Sequence, residues 1–108
     1  MPMYLMEARF TAKGMHGVKQ EGGTSREQAV RKAVESLGGR LESFHFAFGS
    51  KDTYTVLELP DNESAAALSA AVSSSGAVVT EMVVLLTPAQ IDTATERVVD
   101  YFPPSSTE

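Results

Sequence analysis

Cysteine is absent from the 108-residue chain, which excludes disulfide bonds, thiolate chemistry and cysteine-based metal sites. Basic residues are outnumbered, and the formal net charge of −5 argues against nucleic-acid binding, which draws its affinity from lysine and arginine on phosphates. The longest apolar run, Met82 to Leu86, is far shorter than the ~20 residues of a membrane span. The first residues lack the basic and apolar regions of a signal peptide. We therefore expect a cytoplasmic protein that contacts neither nucleic acid nor membrane.

The length of the chain is sufficient for one domain with its own hydrophobic core. We expect this domain over residues 1–102, followed by a disordered tail at 103–108. A mostly apolar run at Met3 to Phe10 predicts the first strand. The segment from Thr11 to Gly23 holds four glycines and predicts a long loop, with room for a helical turn around Met15 to Lys19. That loop would carry His16, which we expect to be solvated.

Local signals predict two helices that alternate with strands. Thr24 and Glu27 have the spacing of a capping box, and Gly38-Gly39 supplies a helix end. Between them lies the apolar stripe of an amphipathic helix, formed by Ala29, Val30, Ala33, Val34 and Leu37. An alanine-rich run from Ser64 to Val72 predicts the second helix, which follows Pro60-Asp61.

The end of the chain predicts a strand and a third helix. Val78 to Leu86 is the most strand-like run in the sequence. Thr87 as N-cap, Pro88 at the first helical position and Gln90 completing a capping box then begin the helix. We expect its buried stripe to comprise Ile91, Ala94, Val98 and Tyr101 or Phe102.

The stretch from Phe44 to Asp61 predicts a hairpin, because two runs rich in aromatic and β-branched residues flank small turn residues. With Ser50 and Lys51 at the centre of the turn, Phe48 pairs with Thr53, and both Lys51 and Asp52 are solvated. Alternation then gives a core face of Phe44, Phe46, Phe48, Thr53, Thr55, Leu57 and Leu59. The opposite, mixed face comprises Leu41, Ser43, His45, Ala47, Tyr54, Val56 and Glu58.

The order of the predicted elements is β-α-β-β-α-β followed by a helix. This is the split β-α-β pattern of ferredoxin-like α+β folds, in which the helices cover only one face of the sheet. The last strand, Val78 to Leu86, is apolar on both faces. Because a large apolar face marks an interaction site, we expect the uncovered face to pack against a second copy of the chain.

A set of short motifs extends over about residues 3–95. It comprises Phe10-Thr11, Gly14, Val18-Lys19, Arg26, Leu37 to Leu41, Gly49, Asp52, Glu58, Pro60-Asp61, Gly76 and Thr80-Glu81. Together these motifs resemble the GYD-domain family, small proteins of largely uncharacterised function. Two positions depart from it: Lys51 stands in place of the tyrosine of the naming motif, and Met82 in place of a threonine. The resemblance implies a dimeric α+β barrel, in which two ferredoxin-like sheets pack face to face.

The candidate site is the mixed face of the hairpin with its neighbouring strands. A histidine beside a carboxylate moves protons near neutral pH, and the predicted register makes His45 and Glu58 diagonal neighbours about 7–8 Å apart. The alternative is structural, with the carboxylates paired to Arg9 or His45 inside a subunit interface. The candidate ligand-binding residues are Ser43, His45, Tyr54, Glu58, Arg9 and Glu81, with Glu7 as an addition.

No catalytic motif is present in the sequence. The two histidines and the scattered carboxylates have no recognised metal-ligand spacing, and we expect neither a metal nor a cofactor. The first functional hypothesis is a homo-oligomeric α+β barrel protein that binds a small organic ligand without catalysis. The alternative is a cofactor-independent enzyme, of isomerase or monooxygenase type, which requires a pocket of ~300 Å³ or more between sheet and helices with His45 or Glu58 pointing inward.

Overall fold

The structure, a computed structural model, describes residues 1–105, so the end of the predicted tail, 106–108, lies outside the described residues. The described part forms four strands and four helices. In chain order these are β1 (Met3–Phe10), α1 (Ala12–Glu21), α2 (Gly23–Ser36), β2 (Arg40–Phe46), β3 (Thr53–Glu58), α3 (Asn62–Ser73), β4 (Val78–Leu85) and α4 (Pro88–Thr95). The strands form one antiparallel sheet in the order β2-β3-β1-β4. The predicted ferredoxin-like α+β fold is confirmed.

One face of the sheet forms the hydrophobic core beneath the helices. Alternate β1 residues are buried on that face because side chains alternate along a strand. The helices contribute the side chains that face the sheet, since α2 packs on β2 and α3 packs on β4. The core comprises Tyr4, Met6, Val30, Val34, Leu41, Leu57, Leu59, Ala65 and Leu68. The Tyr4 hydroxyl donates to Asn62 Oδ1 at 2.6 Å, which ties β1 to the start of α3.

The segment after β1 is a helix, so the prediction of a loop over Thr11 to Gly23 was wrong. The Thr11 side chain caps α1 by accepting from the amide of Gly14. Gly14 is buried, and a Cβ there would collide with the carbonyl oxygen of Ala77. Gly14 therefore permits a close approach of α1 to the chain before β4. His16 lies within this helix and is exposed.

The predicted capping box of the next helix is also wrong, because α2 begins at Gly23 without any side-chain cap. Gly22 stands at its N-cap with a φ of 88°, in the region that glycine favours. The predicted helix end is confirmed: α2 ends at Ser36, and Gly38 has a φ of 82°. Val30 and Val34 of the predicted stripe are buried, whereas Ala29 is exposed.

The hairpin register differs from the predicted one by two residues. Phe46, rather than Phe48, lies opposite Thr53, because six residues, 47–52, connect the strands instead of a tight turn. Phe48 consequently lies outside the sheet and is fully exposed. A bulge at Glu42, between Leu41 and Ser43, adds one residue to β2 and changes the face of everything before it. Leu41 is therefore buried in the core and does not lie on the mixed face.

The last helix begins as predicted but does not pack as predicted. Thr87 and Gln90 form both bonds of the capping box, with Pro88 in the first turn. The helix ends at Thr95, however, and none of its residues is buried. The predicted buried stripe is wrong, because its members are exposed, namely Ile91, Ala94, Val98, Tyr101 and Phe102. Within the part of the chain that the structure describes, every helix is too short or too polar to cross a bilayer.

Candidate functional site

The face of the sheet opposite the helices carries a row of four polar side chains. His45 of β2 lies opposite Tyr54 of β3. Tyr54 in turn lies opposite Glu7 of β1, and Glu7 lies opposite Glu81 of β4. Directly opposed residues share a face, so these four side chains form one line across all strands. We call this line the polar row, and the sheet face that carries it the open face.

A second line of side chains on the open face is mostly apolar. It lies next to the polar row and runs Ser43, Val56, Leu5, Val83 across the same four strands. We call it the apolar row. Val83 is 39% exposed, and the other three are half-buried. The open face thus combines a strip of hydrogen-bonding groups with a strip of aliphatic surface.

Lys51 reaches from the hairpin loop to the carboxylates of the polar row. Its Nζ lies 2.5 Å from Glu81 Oε1 and 4.0 Å from Glu7 Oε1. The hydrogen bond and positive charge of Lys51, with a smaller effect of Arg9, hold the pKa of the Glu81 carboxyl below its usual range. Two glutamates directly opposite each other repel, and Lys51 offsets that repulsion.

Asp52 positions the loop that delivers Lys51. Its Oδ2 accepts from the backbone amide of Phe10 at 2.8 Å, and its own amide donates to the carbonyl of Ala8 at 2.8 Å. The loop is closed by the Ala47 amide, which donates to the Asp52 carbonyl at 2.8 Å. The prediction that Lys51 and Asp52 are solvated was therefore wrong, since both bind groups of the sheet.

Glu58 lies at the far end of the open face, where it pairs with Arg40. The Arg40 guanidinium contacts Glu58 Oε2 at 2.9 Å and also pairs with Glu42. His45 lies opposite Tyr54, four residues along β3 from Glu58, which is about 14 Å at the rise of a strand. The predicted proximity of His45 and Glu58 is wrong, because it depended on the tight-turn register.

The cavities between sheet and helices are not lined by the predicted site residues. A cavity of about 20 Å³ lies in the core beside Met6 and Phe44, and two open clefts of about 230 and 320 Å³ lie where α1 and α2 meet the ends of the strands. Neither His45 nor Glu58 lines any of the three, so none of them is the pocket that the enzyme hypothesis predicted. Among the described residues, no group of three histidine or acidic side chains is arranged to hold a metal ion.

Most of the predicted site residues come together in the structure. His45, Tyr54 and Glu81 join Glu7 in the polar row, and Arg9 follows two residues after Glu7 along β1. Ser43 lies in the apolar row, and Glu58 lies apart from both rows. Sequence reasoning missed Lys51, although its place in the GYD naming motif next to Asp52 was a usable signal.

The sheet, with helices on one face and an open face that carries the polar row, defines a ferredoxin-like α+β domain. The model of the GYD domain matches residues 4–95, and the chain belongs to this family of dimeric α+β barrels. A search of curated proteins and a search of solved structures each found no match to the chain.

Proposed function

We propose that the chain forms a homodimer through its open face and binds a small organic molecule between the two polar rows. The observation that carries this proposal is the open face itself, with aliphatic residues and unpartnered polar groups side by side. Val83 is 39% exposed and lies in one row with the half-buried Leu5 and Val56. Val79, 49% exposed, lies on the other side of Glu81, opposite Arg9. Exposed apolar surface of this kind marks an interaction surface, and GYD-family membership supports the same arrangement.

The rows define the chemistry of the proposed ligand. The Tyr54 hydroxyl and the His45 imidazole make no hydrogen bonds within residues 1–105, so both are free to bind a polar group. The neighbouring apolar row suits a hydrocarbon or aromatic body. Ligand sites combine a largely apolar lining with a few placed polar groups, and the proposed ligand is accordingly a compact apolar molecule with one or two polar substituents.

The second candidate function is a cofactor-independent enzyme of isomerase or monooxygenase type. The observation that favours it is the direct opposition of His45 and Tyr54, with Glu7 next in the row. A histidine and a phenol within one site can exchange a proton with a bound substrate. In this case the reaction chamber would lie between two open faces rather than beneath the helices.

Two neighbouring valines of β4 test the homodimer. Val83 lies on the open face, whereas Val84 lies on the helix side and is 54% exposed at the sheet edge. Val83→Lys places an unpaired charge in the proposed interface, and we expect the dimer dissociation constant to rise by at least about 100-fold, because burying an unpaired charge costs several kcal/mol. Val84→Lys is the matched control and leaves the constant unchanged. Size-exclusion chromatography with light scattering measures both, and a wild-type monomer at micromolar concentration refutes the proposal.

The ligand site is tested with the fluorescent probe 8-anilinonaphthalene-1-sulfonate, an aromatic body with one polar group. We expect saturable binding to the wild-type dimer and a loss of that binding in Val83→Lys, because the site exists only between two copies. A Tyr54→Ala variant that remains dimeric is expected to bind the probe more weakly. Equal binding by wild type and Val83→Lys would contradict a site between open faces.

A further inference from the structure

The chain ends in a segment that does not pack on its own domain. We define the C-terminal arm as residues 88–105, which comprise α4 and the extended chain after it. Its apolar side chains face solvent, with Val98 98%, Phe102 88% and Tyr101 69% exposed. The radius of gyration is 17.5 Å and the longest dimension 59 Å, whereas a compact chain of this length has a radius of about 13 Å. The arm thus projects from the domain with its apolar groups uncovered.

The start of the arm is nevertheless well specified. Thr87 and Gln90 form a complete capping box, in which the Thr87 amide donates to Gln90 Oε1 at 2.7 Å and the Gln90 amide donates to Thr87 Oγ1 at 3.1 Å. Pro88 fits the first turn. A well-formed helix followed by exposed aromatic residues indicates a segment that packs against another chain.

The arm would add substantial apolar area to an interface formed by the open face. Stable protein interfaces bury about 800 Å² of accessible surface on each partner. A buried aromatic side chain contributes about 150–250 Å². Tyr101 and Phe102 together would therefore contribute a large share of such an interface.

We propose that the C-terminal arm crosses to the second copy of the chain and buries Tyr101 and Phe102 against it. This inference rests on the homodimer proposed above. The reach is sufficient, because Phe102 lies five residues after the turn at Glu96 and Arg97. Five extended residues span up to about 17 Å, whereas two packed sheets lie about 10 Å apart. The arm therefore extends the interface between the open faces, and each copy packs its arm against the other.

Photo-crosslinking between isotopically distinct copies tests the arm. Phe102 is replaced by p-benzoylphenylalanine in the full chain, and equal amounts of ¹⁴N and ¹⁵N protein are mixed, equilibrated and irradiated. If the arm lies on the partner, mixed-isotope cross-linked peptides are as frequent as same-isotope ones. Exclusively same-isotope peptides mean that the arm folds on its own domain, and this result overturns the inference. The same probe at Lys32, exposed on α2, gives the background level of cross-linking.

A second measurement separates the arm from the open face. The double variant Tyr101→Ser, Phe102→Ser leaves the core untouched, and we expect its dimer dissociation constant to rise about 10- to 1000-fold. Asp100→Asn is the matched control, because it changes the arm without removing apolar area. An unchanged constant in the double variant overturns the arm inference but leaves the homodimer standing if Val83→Lys still dissociates it. If the wild-type protein is a monomer, both the homodimer proposal and the arm inference are refuted.

Discussion

One buried hydroxyl in the core is the best place to test the energetics of this fold. Thr55 is fully buried, and its Oγ1 has no hydrogen-bond partner among residues 1–105. It lies opposite Met6 on β1 and Phe44 on β2, so its surroundings are apolar. A buried hydroxyl without a partner loses its hydrogen bonds to water and forms none in the protein, which destabilises the fold.

The substitution Thr55→Val removes that hydroxyl and keeps the shape of the side chain. An unsatisfied buried polar group costs about 1–3 kcal/mol, and valine favours strands as threonine does. We expect the free energy of unfolding to rise by about 1–2 kcal/mol. At an unfolding entropy of about 0.2 kcal/mol/K for a chain of this length, that gain corresponds to a rise in Tm of about 5–10 °C.

Thr80 provides the matched control. It also lies on the helix side, but its Oγ1 is 3.0 Å from the hydroxyls of both Ser69 and Ser73. Thr80→Val therefore removes a satisfied hydroxyl and leaves its partners unpaired, and we expect a loss of about 1 kcal/mol. Thermal and urea unfolding followed by circular dichroism measure both variants, at one protein concentration because dimerisation makes Tm concentration-dependent. A Thr55→Val variant no more stable than the wild type would refute the reasoning.

Two further substitutions test the close packing of α1 and the charges of the open face. Gly14→Ala forces a Cβ onto the carbonyl of Ala77, and we expect the free energy of unfolding to fall by at least about 2 kcal/mol. Gly17 has open space around it, and we expect Gly17→Ala to raise the free energy of unfolding by about 0.5–1 kcal/mol. Urea unfolding compares the two variants. Because Lys51 lowers the pKa of Glu81, the stability from this pair is present above the unfolded pKa and is lost as pH falls through the folded pKa. In Lys51→Met we expect the pKa of Glu81 to rise toward its usual range and the acid-induced loss of stability to shrink, as measured by ¹³C NMR titration and by urea unfolding at several pH values. An unchanged Glu81 titration would exclude the contact.

Elements with local signals could be predicted from the sequence. The order of the strands along the chain, the helix end at Gly38 and the capping box at Thr87 each depend on residues within a few positions of one another. The first helix could not be predicted, because four glycines suggest a loop, whereas one of them, Gly14, is needed for the approach of the helix to Ala77. The packing of α4 could not be predicted either, since an apolar stripe indicates that something covers it but not which chain.

The open face was predictable even though the hairpin register was not. A register shift of two residues keeps every side chain on its own face, so His45 and Tyr54 remained together on one side. The same shift removed Glu58 from the neighbourhood of His45, because distances along the strand do change. Lys51 could not be placed, since its position depends on how the loop 47–52 folds back over the sheet.

The bulge at Glu42 has a consequence for how this chain tolerates changes in length. Deleting Glu42 would leave Leu41 and Ser43 adjacent, and regular alternation would keep Leu41 in the core and His45 outside. An insertion between Ser43 and His45 would instead need a second bulge, and without one it would turn the imidazole inward or drive Phe44 outward. Variation in length among related hairpins should therefore concentrate at this one position.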